Sequence, residues 1–339
     1  MSADVQKESM GRPAWYKVLR QYGQPDLRKA IWQLVNTFVP YAVLWALMIL
    51  TVQRGLSYWI TLALSVPAAF LLVRIFIFFH DCCHRSFFSS QTANTIVGYV
   101  TGILTFTPYH EWRESHNRHH ATVSDLDRRG SGDVWTMTVE EYRNASLWQR
   151  LGYRLFRHPL VTFGLGPTFI FLISQRVPGK KASKAAVRSV IITDLAILAI
   201  LGLAALTIGL RTYLLIQLPV ILIAATAGVW LFYVQHQFEG VYWARHEAWS
   251  PLRAALEGSS YYKLPGVLRW LTGSIGLHHV HHVRPRIPNY NLQDCLNAIP
   301  ALQDVRPLTV GRSLKSPWLD LWDEDRQQLV SFRAARQQS

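Results

Sequence analysis

The sequence predicts an all-α integral membrane protein with four transmembrane helices, two half-inserted or interfacial segments, and a cytoplasmic helical cap that bears clustered histidines. Three observations carry that prediction. Apolar runs at residues 34–52, 56–79, 189–210 and 213–235 contain only Arg74 and Asp194 as charges, and each is near or above the roughly 20 residues that cross a ~30 Å hydrocarbon layer. The basic residues are distributed as a membrane topology requires. The histidines gather just beyond the ends of the runs and in polar stretches between them.

Residues 1–32 read as a cytoplasmic N-terminal segment without an apolar signal core, so insertion is expected to rely on the first run itself. The membrane unit is expected over 33–310. Its first two runs form a hairpin around Arg54, and its last two a second hairpin around Arg211. Stretches 94–108 and 159–174 reach only about 22 to 24 Å as helices and are read as half-inserted or interfacial. Residues 311–339 are expected to be a cytoplasmic tail helix, with Pro317 in its first turn and Trp318 and Trp322 one turn apart. Arg74 is expected to snorkel to the interface, and Asp194 lies near the same end of its span.

A formal net charge of +14 raises nucleic acid as a partner, but the arrangement of the charge excludes it. Of 35 Lys and Arg, six lie in the first 32 residues, eight in 109–158, five in 175–188 and twelve after residue 235. The two hairpin turns contribute only Arg54 and Arg211. By the positive-inside rule both termini and the central segments are cytoplasmic, against the anionic leaflet of a membrane, here expected to be a bacterial cytoplasmic membrane. Cys82, Cys83 and Cys295 give no disulfide framework, and the first two read as packing residues.

Thirteen histidines are present, and ten fall in or beside three dense clusters. These are His80 and His84 in HDCCH, His116, His119 and His120 in HNRHH, and His278, His279, His281 and His282 in HHVHH, with His110 ahead of the second. On a helix, i, i+3 and i+4 share a face, so each cluster aims two or three imidazoles at one point. A catalytic zinc takes three ligands and a structural one four, so eight or nine imidazoles imply two ions. Imidazole suits Fe, Cu, Zn and Ni alike, and ligand type alone does not choose among them. The carboxylate-rich pattern of soluble di-iron bundles is missing. His110, His158 and His246 read as surface or interface residues. The DLDRRGSGD segment fails as a calcium loop, because Arg129 and Thr136 stand where oxygen ligands belong.

Four motifs resemble those of the membrane fatty acid desaturases, closest to the bacterial acyl-lipid type. HDCCHRSFF is similar to the family's first histidine box, WRESHNRHHATVSDLDRRGSGDVWTMTVEEY to its second, SIGLHHVHHVRPRIPNYNLQDC to its third, and YVQHQFEGVYW to its extra histidine motif. The resemblance covers about residues 14 to 310. It implies nine ligands around two irons: His80, His84, His116, His119, His120, His236, His278, His281 and His282, with His279 left out. Some eukaryotic relatives place an asparagine one turn before the extra histidine, where Phe232 stands here. Asp81, Glu111, Asp125, Asp127, Asp133 and Glu239 are candidates to orient the imidazoles through their second nitrogen.

The resemblance further implies a dioxygen-dependent insertion of a cis double bond into a fatty acyl chain. An acyl lipid or other acyl substrate and a separate electron donor such as ferredoxin are the implied partners. A hydroxylase, an acetylenase or a desaturase of a non-lipid metabolite on the same scaffold is the nearer alternative. A non-enzymatic metal-binding membrane protein is the remote one, since its histidines would be expected along a path inside the bilayer.

Overall fold

A computed structural model describes residues 13–130 and 132–337; the first twelve residues of the expected N-terminal segment and the last two of the tail lie outside the described residues. Four helices are long and apolar enough to cross a membrane: Leu27–Gln53, Tyr58–Cys83, Lys184–Thr207 and Leu210–His236. They correspond to the four predicted runs with shifted ends: the first and fourth are longer at both ends, whereas the second starts later than its run and the third ends earlier. The first begins earlier than its apolar run because the Asp26 carboxylate accepts hydrogen bonds from the backbone N–H groups of Arg28 and Lys29 at 2.8 and 3.1 Å, which caps orphan donors of the first turn. Its turn into the second span passes through Gly55 at φ +66°, a left-handed conformation that glycine adopts without cost.

The second span is central. It packs against the first and fourth spans and against the helix Gln91–Leu104, and 61% of its apolar window is buried, against 22% for the first span and 17% for the third. The outer spans face lipid instead. Ile31, Val35, Val39, Val43 and Leu47 form an exposed stripe on the first span, and Ile191, Leu195, Leu198 and Leu206 on the third. Such i, i+4 rows of exposed aliphatic residues lie on one helix face, and in water they would be an interaction patch.

The short apolar stretch 94–108 forms the helix Gln91–Leu104, about 21 Å long at ~1.5 Å per residue. It folds back against the helix Tyr109–Thr122, which carries HNRHH. Gly102 permits this approach, since a Cβ there would stand 2.6 Å from the Thr107 carbonyl and 2.9 Å from the Phe79 ring. Gly102→Ala should therefore lower the yield of folded protein and its melting temperature, at a cost of about 1–3 kcal/mol for overpacking; a thermal melt in detergent checks it. The second stretch, 159–174, becomes a π turn Val161–Leu165, a helix Gly166–Leu172 and a 3-10 turn, bent 62° from the preceding helix Leu147–Arg157. Asp194 pairs with Arg176 there at 2.6 Å.

Two expectations are corrected. Arg74 does not snorkel into the interface: it is buried, donates to Thr37 Oγ1 at 3.0 Å and to the Trp270 carbonyl, and lies 4.2 Å from the Trp270 ring centroid. The cap covers the span end, so the guanidinium finds its partners in protein. Nor is the tail one helix. After a 3-10 turn Ser316–Trp318 it forms β4 (Leu321–Asp323), β5 (Gln328–Val330) and the short helix Phe332–Arg336, following β1 (Met137–Thr138), β2 (Tyr261–Lys263) and β3 (Pro307–Thr309) earlier in the chain. Strand β4 pairs parallel with β1 and antiparallel with β5, while β2 and β3 pair with each other. Asp323 drives the hairpin by accepting from the N–H groups of Asp325 and Arg326, both at 3.1 Å, an Asx turn that competes with helix.

Candidate metal centre

Both hairpins deliver a histidine at the same end of the molecule, opposite Arg54 and Arg211. His80 lies in the last turn of the second span, His84 caps it, and His236 ends the fourth. The helix Tyr109–Thr122 brings in His116, His119 and His120, held to the second span by the Tyr109 hydroxyl, which donates to the Cys82 carbonyl at 3.0 Å. The helix His278–Val283 supplies the rest. It is tied to the fourth span by Gln235, whose side chain donates to the Ile275 carbonyl at 3.0 Å and whose carbonyl accepts from Ser260 N–H at 2.9 Å.

The nine predicted histidines converge in two groups. His80, His84, His116, His120 and His281 form one, His119, His236, His278 and His282 the other, and within each the ligand atoms lie within 4.8 Å of one another. The Nε2 atom of His236 is 3.1 Å from that of His119 and 3.0 Å from that of His278. In the first group, His120 Nε2 lies 3.1 Å from His116 Nε2 and 3.0 Å from His281 Nε2. His279 is turned away, with its Nε2 3.0 Å from the Leu302 carbonyl.

These contacts fit a cation better than a hydrogen-bond network. His119 Nδ1 faces Asp133 at 2.6 Å and His236 Nδ1 faces the Gly258 carbonyl at 3.2 Å. A carbonyl and a carboxylate only accept, so each ring's proton sits on Nδ1, and a neutral imidazole has no second one. Two bare Nε2 lone pairs then face each other, a repulsive arrangement that a shared positive ion reverses. Nitrogens about 2.1 Å from one ion and about 90° apart lie about 3.0 Å from each other, which is the spacing found. In the other group the buried Nε2 atoms of His80 and His84 have no hydrogen-bond partner, as atoms reserved for a metal would not. Burial first, then neighbouring imidazoles, hold His116, His120, His278, His281 and His282 well below the usual histidine range, which keeps them neutral and able to ligate.

Two of the six acidic candidates touch a clustered imidazole. Asp133 meets His119, and Asp81 meets His80 Nδ1 at 3.1 Å while its other oxygen accepts from Asn289 N–H and Nδ2 at 2.6 and 2.9 Å. The other four are engaged elsewhere. Asp125 faces His246 at 2.7 Å, Asp127 accepts from Arg245 at 2.9 Å, Glu239 from Arg312 at 3.1 Å, and Glu111 from Gly179 N–H at 3.2 Å. Asp125 and Asp127 lie beyond the helix end at Thr122, where nearness in sequence no longer sets direction. Asn289 and the Gly258 carbonyl were not singled out from the sequence; Asn289 carried a usable signal, standing in the segment just after the third cluster. Phe232 lies 5.4 Å from His119 and 5.2 Å from His236 between ring centroids, so an apolar ring stands beside both imidazoles one turn before His236.

A cavity of about 360 Å³ opens onto this centre between the second and fourth spans. Leu72, Val73, Phe76, Ile77, Ile221 and Phe232 line it, and His80, His116 and His278 reach its wall.

The fatty acid desaturase family profile matches residues 56–308. The chain belongs to the fatty acid desaturase family. It is an enzyme, a desaturase, and fatty acid desaturation is the activity that the family and its named relatives support. The desaturase is 48% identical over 320 residues to a fatty acid desaturase of Bacillus subtilis (strain 168), covering 94% of this chain and 90% of that protein. Over 311 residues it is 26% identical to an sn-1 acyl-lipid omega-3 desaturase (ferredoxin) of Nostoc sp. (strain 36), covering 88% and 82% of the two chains. An sn-1 oleoyl-lipid 12-desaturase of Arthrospira platensis is 26% identical over 224 residues.

Asp133→Asn tests the desaturase's imidazole orientation. An amide can present N–H to His119 Nδ1, which turns the ring's proton toward Nε2; metal content or turnover should fall about 10- to 100-fold, as for other groups that orient metal ligands. Metal analysis with an activity assay reads it, and Asp125→Asn serves as the neutral control.

Proposed function

We propose that this desaturase inserts a cis double bond into a fatty acyl chain of a membrane lipid, using dioxygen and two irons held by the nine clustered histidines. His80, His84, His116, His120 and His281 would hold one ion, and His119, His236, His278 and His282 the other. Iron so held would supply the reductive activation of dioxygen needed to take two hydrogens from adjacent methylenes. The balance is two hydrogens from the chain, plus two electrons and two protons from the donor side, per dioxygen converted to two waters.

The observation that carries this reading is the apolar cavity that ends at His80, His116 and His278. Its aliphatic and aromatic walls suit an acyl chain and exclude water. Phe76 and Phe232 flank the chain near the imidazoles, and the spans fix how far it advances, which selects the carbons that react. Asp81, Asp133 and the Gly258 carbonyl keep the proton of their imidazoles on Nδ1. Electrons come from a separate carrier of the ferredoxin class, which the name of the Nostoc relative supports. The histidine face is cytoplasmic by its basic charge, in a bacterial membrane.

Expression in a desaturase-free host, with mass spectrometry of its lipids and location of double bonds, tests the proposal. A new cis double bond at one position, lost in His281→Ala, is expected. A hydroxylated product, or unchanged lipids with an iron-loaded protein and a working donor, would contradict it.

A further inference from the structure

The helix Leu147–Arg157 turns its apolar face outward. Leu147, Trp148, Leu151 and Leu155 are exposed, Trp148 at 80%, whereas Tyr153 and Arg157 on the other side are buried. For a helix in water this pattern is inverted. Behind that face, bounded by the segment Val139–Asn144 and the tail helix Phe332–Arg336, is a cavity of about 410 Å³. Arg143, Arg150, Arg154 and Arg336 stand in its wall beside Leu147 and Leu151, and no carboxylate lines it among the described residues. Neutral groups fix two of these side chains: Arg154 Nε donates to the Tyr142 hydroxyl at 2.5 Å, and Arg143 to the Ala335 carbonyl at 2.9 Å. The buried Nε of Arg150 has no hydrogen-bond partner.

We propose that this pocket binds the phosphate of an anionic phospholipid whose acyl chains lie along the exposed leucines. Guanidinium groups match phosphate oxygens with paired donors, and an amphipathic helix lying in the interface sets its polar residues at headgroup level. The exposed stripe decides for lipid over an acidic protein, because a protein held by the arginines alone would leave Leu147, Trp148 and Leu151 in water. None of the nine clustered histidines lines the pocket, so this lipid is distinct from an acyl chain at the metal centre. It joins the tail helix to the helix Leu147–Arg157, and the proposal does not depend on the identity of the metal or product.

Native mass spectrometry of the full-length protein in a neutral detergent tests it, with phosphatidylglycerol, phosphatidylcholine and inorganic phosphate as separate ligands. Phosphatidylglycerol should bind at concentrations about five-fold or more below phosphatidylcholine, as expected from even one arginine at an anionic surface. Arg150→Gln should remove that preference and Arg150→Lys restore most of it, both with unchanged iron content. An undiminished preference in Arg150→Gln would overturn the proposal. So would inorganic phosphate displacing the lipid as well as phosphatidylglycerol does, or Arg150→Gln slowing reduction by the electron donor while leaving the lipid count unchanged.

Discussion

His236→Ala should insert and accumulate normally yet lose desaturation, a larger loss than the 10- to 100-fold typical of groups that merely orient a ligand. The reason is its place between two others: its Nε2 lies 3.1 Å from that of His119 and 3.0 Å from that of His278. It is also the one clustered imidazole that the fourth span supplies. Without it the four-histidine group keeps three, and an iron there should be lost. His279→Ala separates ligation from crowding, because His279 sits beside His278 in sequence yet faces the Leu302 carbonyl. That variant and His246→Ala should keep substantial activity. Product analysis and iron content on the same preparations read the result, and wild-type turnover in His236→Ala would remove that residue from the site.

Gly228→Phe should abolish or sharply reduce desaturation while leaving the iron in place. Gly228 lines the cavity beside Ala224 and Ala225, and a Cβ there would meet no atom within 4 Å, so a side chain has room to start at the cavity wall. An acyl chain displaced by about 1 Å from its reacting position can cost 10²-fold in rate, and a phenyl ring in its path displaces it further. The contrast with His236→Ala is diagnostic: one variant loses metal and activity together, the other activity alone. Unchanged turnover on native lipids in Gly228→Phe would show that the acyl chain does not use this cavity.

The four spans were legible because a long apolar run with at most one charge has few other fates, while their true ends were less so. Helices start at caps, and Asp26 starts the first span ahead of its apolar run. The nine histidines were legible from helical spacing within clusters and from family motifs. Their division into five and four was not, since it depends on how imidazoles from separate helices interleave: His119 and His120 are neighbours in sequence and belong to different groups. The acidic residues divided by contacts in space that sequence nearness does not set: Asp133 meets His119 from beyond the helix end, while Glu111, on that helix, meets Gly179 N–H. Asp81 sits on the helix that aims His80, whereas Asp125 and Asp127 lie in a loop whose course is set by Ala244, Arg245 and His246. In the tail, Trp318 and Trp322 have helical spacing, but the Asx turn at Asp323 and pairing with β1 favour a hairpin.

Metal analysis of the protein purified without oxygen or chelators, combined with Mössbauer spectroscopy of iron-57-enriched samples, bears most directly on the proposed centre. Two clusters of five and four imidazoles predict about two irons per chain, in unequal sites that give two distinct signals because one has an additional imidazole. Loss of the signal of the substituted group should accompany loss of turnover, the four-histidine signal in His119→Ala and the five-histidine signal in His281→Ala. One tightly held zinc and no iron, in protein that still desaturates lipid, would contradict it.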